Sequence, residues 1–331
     1  MDISCAFAPS LDTPEHIALA ESLGYRRAWC YDSPALYPDV WMVLARAADR
    51  TETIGLGTAV IVPSLRHPMV NASAIAALAG WAPGRVAVAI GSGYTGRMVL
   101  GQRPMKWTDV AAYVRVVQAL LRGEEVEWEG RPLRMLHDPS VAPARPVEVP
   151  WLIGADGPKG LAVASELGDG LFSAAVPQAD EGDGLAWRAL LTFGTVLDDG
   201  EDTTSTRALA ALAPGLAVGY HAMYERGGPE AVDGFPGGAT WRAAIEQTPE
   251  ASRHLAIHEG HLVAPNAADS LVLDQAAPLA GMFTTTGSAE EVRTKLEGLA
   301  EVGVTEIAYQ PAGPDIPREL RAFADATAAL R

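Results

Sequence analysis

Asp32, in the run Tyr31-Asp32-Ser33-Pro34, is a carboxylate set directly after an apolar segment. In a loop it would do no more than cap a turn before Pro34. At the C-terminal end of a barrel strand the same side chain reads as a catalytic or ligand-binding group. Gly154-Ala155-Asp156-Gly157 follows the apolar Trp151-Leu152-Ile153 and precedes Pro158, which suits the first position of a helix. A bare turn that opens a helix presents backbone N–H groups able to bind an anion without a basic side chain, so these residues are candidates to hold a phosphate. Gly91-Ser92-Gly93-Tyr94-Thr95-Gly96 has the spacing of a dinucleotide fingerprint. However, it follows the fourth strand rather than the first, Pro104 delays the next helix, and Asp109 falls inside that helix instead of ending a strand. A tight glycine turn beneath a flat ring system fits better. His254, His258 and His261 are spaced like metal ligands, yet Gly260 interrupts them and no carboxylate or cysteine cluster completes a site. No metal is expected; what remains is local packing or a substrate-facing histidine, His258 or His261. Arg66 and His67, before Pro68, read as a surface arginine and a residue held extended.

The elements that must position these groups alternate along the chain. Strands are predicted over residues 3–8, 26–31, 53–62, 85–90, 151–153, 171–172, 189–195 and 306–310, each an apolar run bounded by turn residues. Helices are predicted after Thr13-Pro14 and over 39–50, 68–78, 109–121, 158–167, 289–302 and 318–330, with an exposed hairpin at 126–136. Eight parallel strands with a helix after each close most economically as a (β/α)8 TIM barrel, whose active groups sit at the C-terminal strand ends. An open doubly wound sheet is the competing architecture. The stretch 198–280, between the seventh and eighth strands, holds at least two helical pieces and is expected to be an insertion or lid over the active face. The whole of 1–331 reads as one domain.

A net charge of -16 argues against nucleic acid or an anionic membrane surface as partner, and no local basic patch offsets it. The longest uncharged run, 208–224, contains Pro214 and is too short to span a bilayer. No Lys or Arg precedes Arg26, so the charged start of a secretory signal is missing and a cytoplasmic location is expected. Cys5 and Cys30 fall in predicted strands and read as buried, inert thiols.

With these positions assembled, the chain resembles the bacterial luciferase-like superfamily of barrel oxidoreductases that use flavin or coenzyme F420, most of all its methylenetetrahydromethanopterin reductase branch. The resemblance is carried by Ile153-Gly-Ala-Asp-Gly-Pro158 with Gly168-Asp-Gly170, by Gly91-Ser-Gly93, by Asp32, and by Gly57-Thr-Ala-Val60 ahead of Arg66-His67-Pro68. It spans nearly the full length and is weakest over 198–280. It implies that Asp32 contacts the deazaflavin ring edge and that Ala59-Val60 forms a bulge, often with a non-prolyl cis peptide, backing the ring. It implies further that Gly91, Ser92 and Gly93 line the cofactor and that Gly154, Ala155, Asp156 and Gly157 hold its phosphate. Related sugar-phosphate dehydrogenases carry a histidine after the aspartate and a glutamate after the glycine turn, where this chain has Ser33 and Tyr94. Their acid/base pair is therefore absent, and sugar-phosphate oxidation is not expected. The methanopterin reductases also differ, with an acidic residue where Tyr94 stands. The implied function is F420-dependent hydride transfer to or from a small organic substrate, with Asp32, Tyr94 and a histidine, His258 or His261, as the polar groups within reach. Alternatives are an FMN-dependent two-component monooxygenase, a nicotinamide-dependent methylenetetrahydrofolate-type reductase and a non-catalytic cofactor-binding barrel. A homodimer is implied by the same resemblance.

Overall fold

Strands buried from end to end, such as Val86–Gly91 and Glu306–Gln310, need cover on both faces. A parallel sheet wrapped in helices provides it. The computed structural model describes residues 1–176 and 184–330. Its strands are β1 (Asp2–Phe7), β2 (Arg27–Cys30), β3 (Gly55–Ile61), β4 (Val86–Gly91), β5 (Val126–Trp128), β6 (Arg131–Leu133), β7 (Trp151–Gly154), β8 (Gly170–Ser173), β9 (Trp187–Phe193) and β10 (Glu306–Gln310). β5 and β6 form the expected antiparallel hairpin. The others close into a barrel in the order β1-β10-β9-β8-β7-β4-β3-β2, with parallel pairing throughout. This is the (β/α)8 barrel expected from the sequence, and the doubly wound alternative is excluded.

Side chains alternate between the two faces of the closed sheet. On β10, Ile307 and Tyr309 point outward into a cluster with Val292, Leu296, Leu320 and Phe323 of the helices Ala289–Glu301 and Ile316–Ala326. The rings of Tyr309 and Phe323 stack there at 3.8 Å. The inward set is Trp29, Leu152 and Phe172 among the small Ala6, Ala87, Ala89, Ala189 and Ala308. Gly57 is bare because the Trp29 indole occupies its place: a Cβ there would lie 2.3 Å from the ring. At the amino end of the strands, buried Glu306 gathers three donors: Trp29 Nε1 at 2.8 Å, Trp187 Nε1 at 2.6 Å and Arg27 Nη1 at 3.1 Å.

Between β9 and β10 the chain builds the helices Thr206–Gly227, Gly238–Ile245 and Arg253–His258 around a core of their own that includes Leu212, Tyr220, Trp241, Ile257 and Val272. One local feature differs from expectation. A short helix, Tyr94–Met98, begins directly after the β4 turn rather than being delayed past Pro104. Gly93 makes this possible by adopting a left-handed conformation (φ 79°), where a Cβ would collide with Val62 at 2.3 Å. Cys5 and Cys30 are buried and free. Among the described residues, no helix is long and apolar enough to cross a membrane.

Replacing Glu306 with Leu strands three donors, one buried and two part-buried. Thermal or urea unfolding is expected to show a loss of about 3 kcal/mol or more, with Glu306→Gln clearly milder. Equal stability of wild type and E306L would show that the donors are not held by this carboxylate.

Candidate active site

A cavity of about 340 Å³ opens at the C-terminal ends of the barrel strands and is roofed by the segment between β9 and β10. Its volume suits a small organic ligand. Asp32, two residues beyond β2, lines it. One carboxylate oxygen, Oδ2, accepts from Arg66 Nη1 at 2.6 Å and from the Val62 amide at 3.4 Å. The other, Oδ1, is buried with no hydrogen-bond partner. Burial outweighs the neighbouring guanidinium and holds the Asp32 carboxyl above its ordinary range. Arg66 is not the surface arginine expected. It also binds Asp39 at 2.6 Å, and its backbone carbonyl accepts from Tyr113, whose hydroxyl is itself fixed by Asn71. Asp39 meanwhile caps the helix Val40–Ala48 with its other oxygen, so the ion pair is anchored to the scaffold at both ends. His67 is exposed, its Nδ1 accepting from the Met69 amide.

Ala59 and Val60 lie on the cavity wall where β3 slips register against β4, and the peptide between them is cis, as the resemblance implied. Val60 leans back onto two glycines. A Cβ at Gly154 would be 2.7 Å, and one at Gly91 3.0 Å, from its methyl groups. Gly91 packs against Val60 and is not on the wall. Ser92, Gly93 and Tyr94 are.

The β7 turn divides similarly. Gly154 and Asp156 face the cavity, whereas Ala155 is buried behind it. The Asp156 carboxylate accepts from the amides of Ala174 and Ala175 at 3.1 and 3.4 Å, tying this turn to the end of β8. Gly157 lies outside the cavity wall and precedes the helix Pro158–Leu167. A Cβ there would meet nothing within 4 Å, leaving open space beside the helix start.

From the roof come His221, Glu225 and Arg226 of the helix Thr206–Gly227, together with His261 and Leu262. The His261 loop is tied to the barrel mouth, its carbonyl accepting from Tyr37 at 2.6 Å and that of Leu262 from Gln310 at 3.2 Å. The Arg226 guanidinium stacks 4.1 Å from the Tyr94 ring. Burial, reinforced by the Glu225 charge, pushes the Tyr94 hydroxyl up to about 12, so it stays protonated at neutral pH. Burial also holds His261 well below the usual imidazole range, with His221 and His258 adding to the effect. His258 is not on the cavity wall. It lies behind Glu225, to which its Nε2 bonds at 2.8 Å. His254 stands apart, beside Gly101. Sequence reasoning missed His221 and Glu225; their i, i+4 spacing on one helix was the available signal.

A closed parallel barrel with a ligand-sized cavity at its carboxyl ends, walled by a half-satisfied buried carboxylate, has the architecture of a barrel enzyme. The chain belongs to the luciferase-like monooxygenase family, whose profile matches residues 9–189. The resemblance read from its motifs is borne out at that level. The 5,10-methylenetetrahydromethanopterin reductase of Archaeoglobus fulgidus is 26% identical over 340 residues, covering 97% of both chains. The F420-dependent glucose-6-phosphate dehydrogenase of Beutenbergia cavernae is 34% identical over 187 residues, covering 50% of this chain and 53% of that one. In fold, the chain is similar to the coenzyme F420-dependent tetrahydromethanopterin reductase of Methanopyrus kandleri (TM-score 0.67, 20% identity, 98% of this chain and 97% of that one covered).

Arg66→Met leaves two carboxylates without their counter-charge. The variant is expected to lose about 3 kcal/mol of unfolding free energy. Adding Asp32→Asn should recover part of this loss, a non-additivity that a double-mutant cycle measures. Strict additivity would contradict the coupling.

Proposed function

We propose that this protein is an oxidoreductase that moves a hydride between coenzyme F420 and a small organic substrate held in the barrel mouth. The observation that carries the reading is Asp32 Oδ1, a buried acceptor without a partner on the cavity wall, which suits the N–H edge of a deazaflavin ring. The relatives named as F420-dependent support the same cofactor. Bound there, a 5-deazaflavin supplies the carbon that gives or takes the hydride.

The remaining work falls to the chain's own residues, which orient the reactants and exclude water. The Ala59-Val60 peptide backs the ring, Ser92 and Gly93 border it, and the turn Gly154 to Gly157 receives the phosphate on backbone amides. On the roof side, the neighbouring Tyr94 hydroxyl and Glu225 carboxylate together offer a donor and an acceptor to a polar group of the substrate. His261 faces the same space, whereas His258 serves as a positioning residue behind Glu225. Ser33 and Tyr94 replace the histidine and glutamate of the sugar-phosphate dehydrogenases, which keeps sugar phosphates outside the proposed substrate range. The reading includes one domain over 1–331, a homodimer, and a cytoplasmic location in keeping with two buried free thiols.

Titration of the protein with oxidised F420, and separately with FMN, followed by tryptophan fluorescence, tests the reading. F420 is expected to bind at micromolar or tighter Kd and FMN more weakly. A preference for FMN would move the function to a monooxygenase, and binding of neither would turn attention to nicotinamide and folate. Asp32→Ala is expected to weaken F420 binding about tenfold or more, the worth of a charge-assisted hydrogen bond. Gly157→Val fills space the fold leaves open, so it should lower F420 affinity while the Tm stays near that of wild type. Unchanged affinity in G157V would remove the phosphate from this turn. Light scattering on the purified protein checks the dimer.

A further inference from the structure

In the roof, three buried histidines from two segments turn one ring nitrogen each toward a common point. His221 Nδ1 lies 3.1 Å from His261 Nδ1, and His258 Nδ1 lies 3.4 Å from the same atom. The ligand nitrogens all fall within 4.8 Å of one another. Zinc–nitrogen bonds of about 2.0–2.1 Å in a tetrahedron place neighbouring nitrogens about 3.3–3.4 Å apart, so the two separations from His261 are already close to the spacing a metal would impose.

Hydrogen-bond valence points the same way. Asp269 Oδ1 takes the Trp241 indole N–H at 2.7 Å as well as His221 Nε2 at 3.0 Å, and its Oδ2 takes the Asn266 amide at 2.9 Å. Asp269 is thus an acceptor throughout, and His221 carries its proton on Nε2. Glu225 Oε1 fixes His258 in the same tautomer through Nε2 at 2.8 Å. Both outer nitrogens are then donors, and both Nδ1 atoms offer lone pairs to His261 Nδ1. A single proton on His261 satisfies one of those lone pairs and leaves the other bare inside a buried cluster. A cation satisfies all three. Imidazoles oriented by carboxylates on their far nitrogens are the usual support of a histidine metal site.

We infer that His221, His258 and His261 form a binding site for a divalent first-row transition metal of the zinc class, supported by Asp269 and Glu225. His221 and His261 also line the cavity, beside Tyr94 and Glu225. Because two of the three ligands line the cavity, a fourth position left open by three protein ligands would be reached from it by water or by a substrate oxygen, which the metal would polarise. The sequence expectation of no metal rested on the trio His254, His258 and His261. The fold replaces His254 with His221 and supplies the two carboxylates from other elements. The inference does not rest on F420, and its test uses no organic cofactor.

Chelator-treated full-length protein is titrated calorimetrically with Zn²⁺ alone, passed through gel filtration and assayed for metal. A parallel sample receives Co²⁺ and is examined by visible absorption. Binding of about one equivalent of Zn²⁺, with the Co²⁺ sample developing the intense bands of a tetrahedral site, is the expected result. His261→Ala and His258→Ala should abolish stoichiometric retention, and Asp269→Asn should weaken it about 10–100-fold. Circular dichroism and Tm report whether each variant is folded. The wild-type titration and the Co²⁺ spectrum decide the matter even if a variant does not fold. Absence of stoichiometric Zn²⁺ binding by wild type, or binding undiminished in a folded H261A, would overturn the site and leave the cluster as a hydrogen-bonded relay.

Discussion

Pairing of β1 with β10, in which Asp2 to Cys5 run in register with Glu306 to Tyr309, joins the first strand of the chain to the last and closes the sheet. Parallel pairing around the closed sheet means that every strand delivers its carboxyl end to one rim. Residues as distant in sequence as Asp32, Tyr94, Asp156 and His261 then share one cavity wall. Closure also fixes which side chains face inward, and the interior holds Trp29, Leu152 and Phe172 among alanines. Glu306 occupies the amino-end floor of that interior, leaving the carboxyl end free to be a mouth.

The mouth is shaped by electrostatics under burial. A carboxylate as deeply enclosed as Asp32, at 3% exposure, is costly unless it is paired, and Arg66 pairs one of its oxygens while bridging to Asp39. The other oxygen has no protein partner. The same pattern recurs in the roof, where Glu225 spends one oxygen on His258 and turns the other loose near Tyr94. Two half-satisfied carboxylates, one at a barrel strand end and one on the segment between β9 and β10, thus line the same cavity.

The architecture was legible because apolar runs and their punctuation agree. The helix predicted from Pro158 runs Pro158–Leu167, and Asp39 and Pro68 mark their helix starts as read. Asp32 was legible from its place at a strand end, whereas the bulge at Ala59-Val60 came only from the family resemblance. Arg66 was not, since its pairing joins the loops after two different strands. Spacing alone did not show which glycines reach the cavity, and Gly91 packs on Val60 while Gly93 lines the wall. The histidine cluster lay beyond sequence spacing because its third member comes from the helix Thr206–Gly227, and only the tertiary packing of the insertion sets it against His258 and His261.

A crystal structure of the protein with oxidised F420 tests the central claim most directly. The deazaflavin face is expected against the Ala59-Val60 peptide, with its N–H edge within hydrogen-bond distance of Asp32 Oδ1 and its phosphate beside Gly157. A ring bound elsewhere, with Asp32 Oδ1 still uncontacted, would contradict the claim that this buried oxygen is kept for the cofactor.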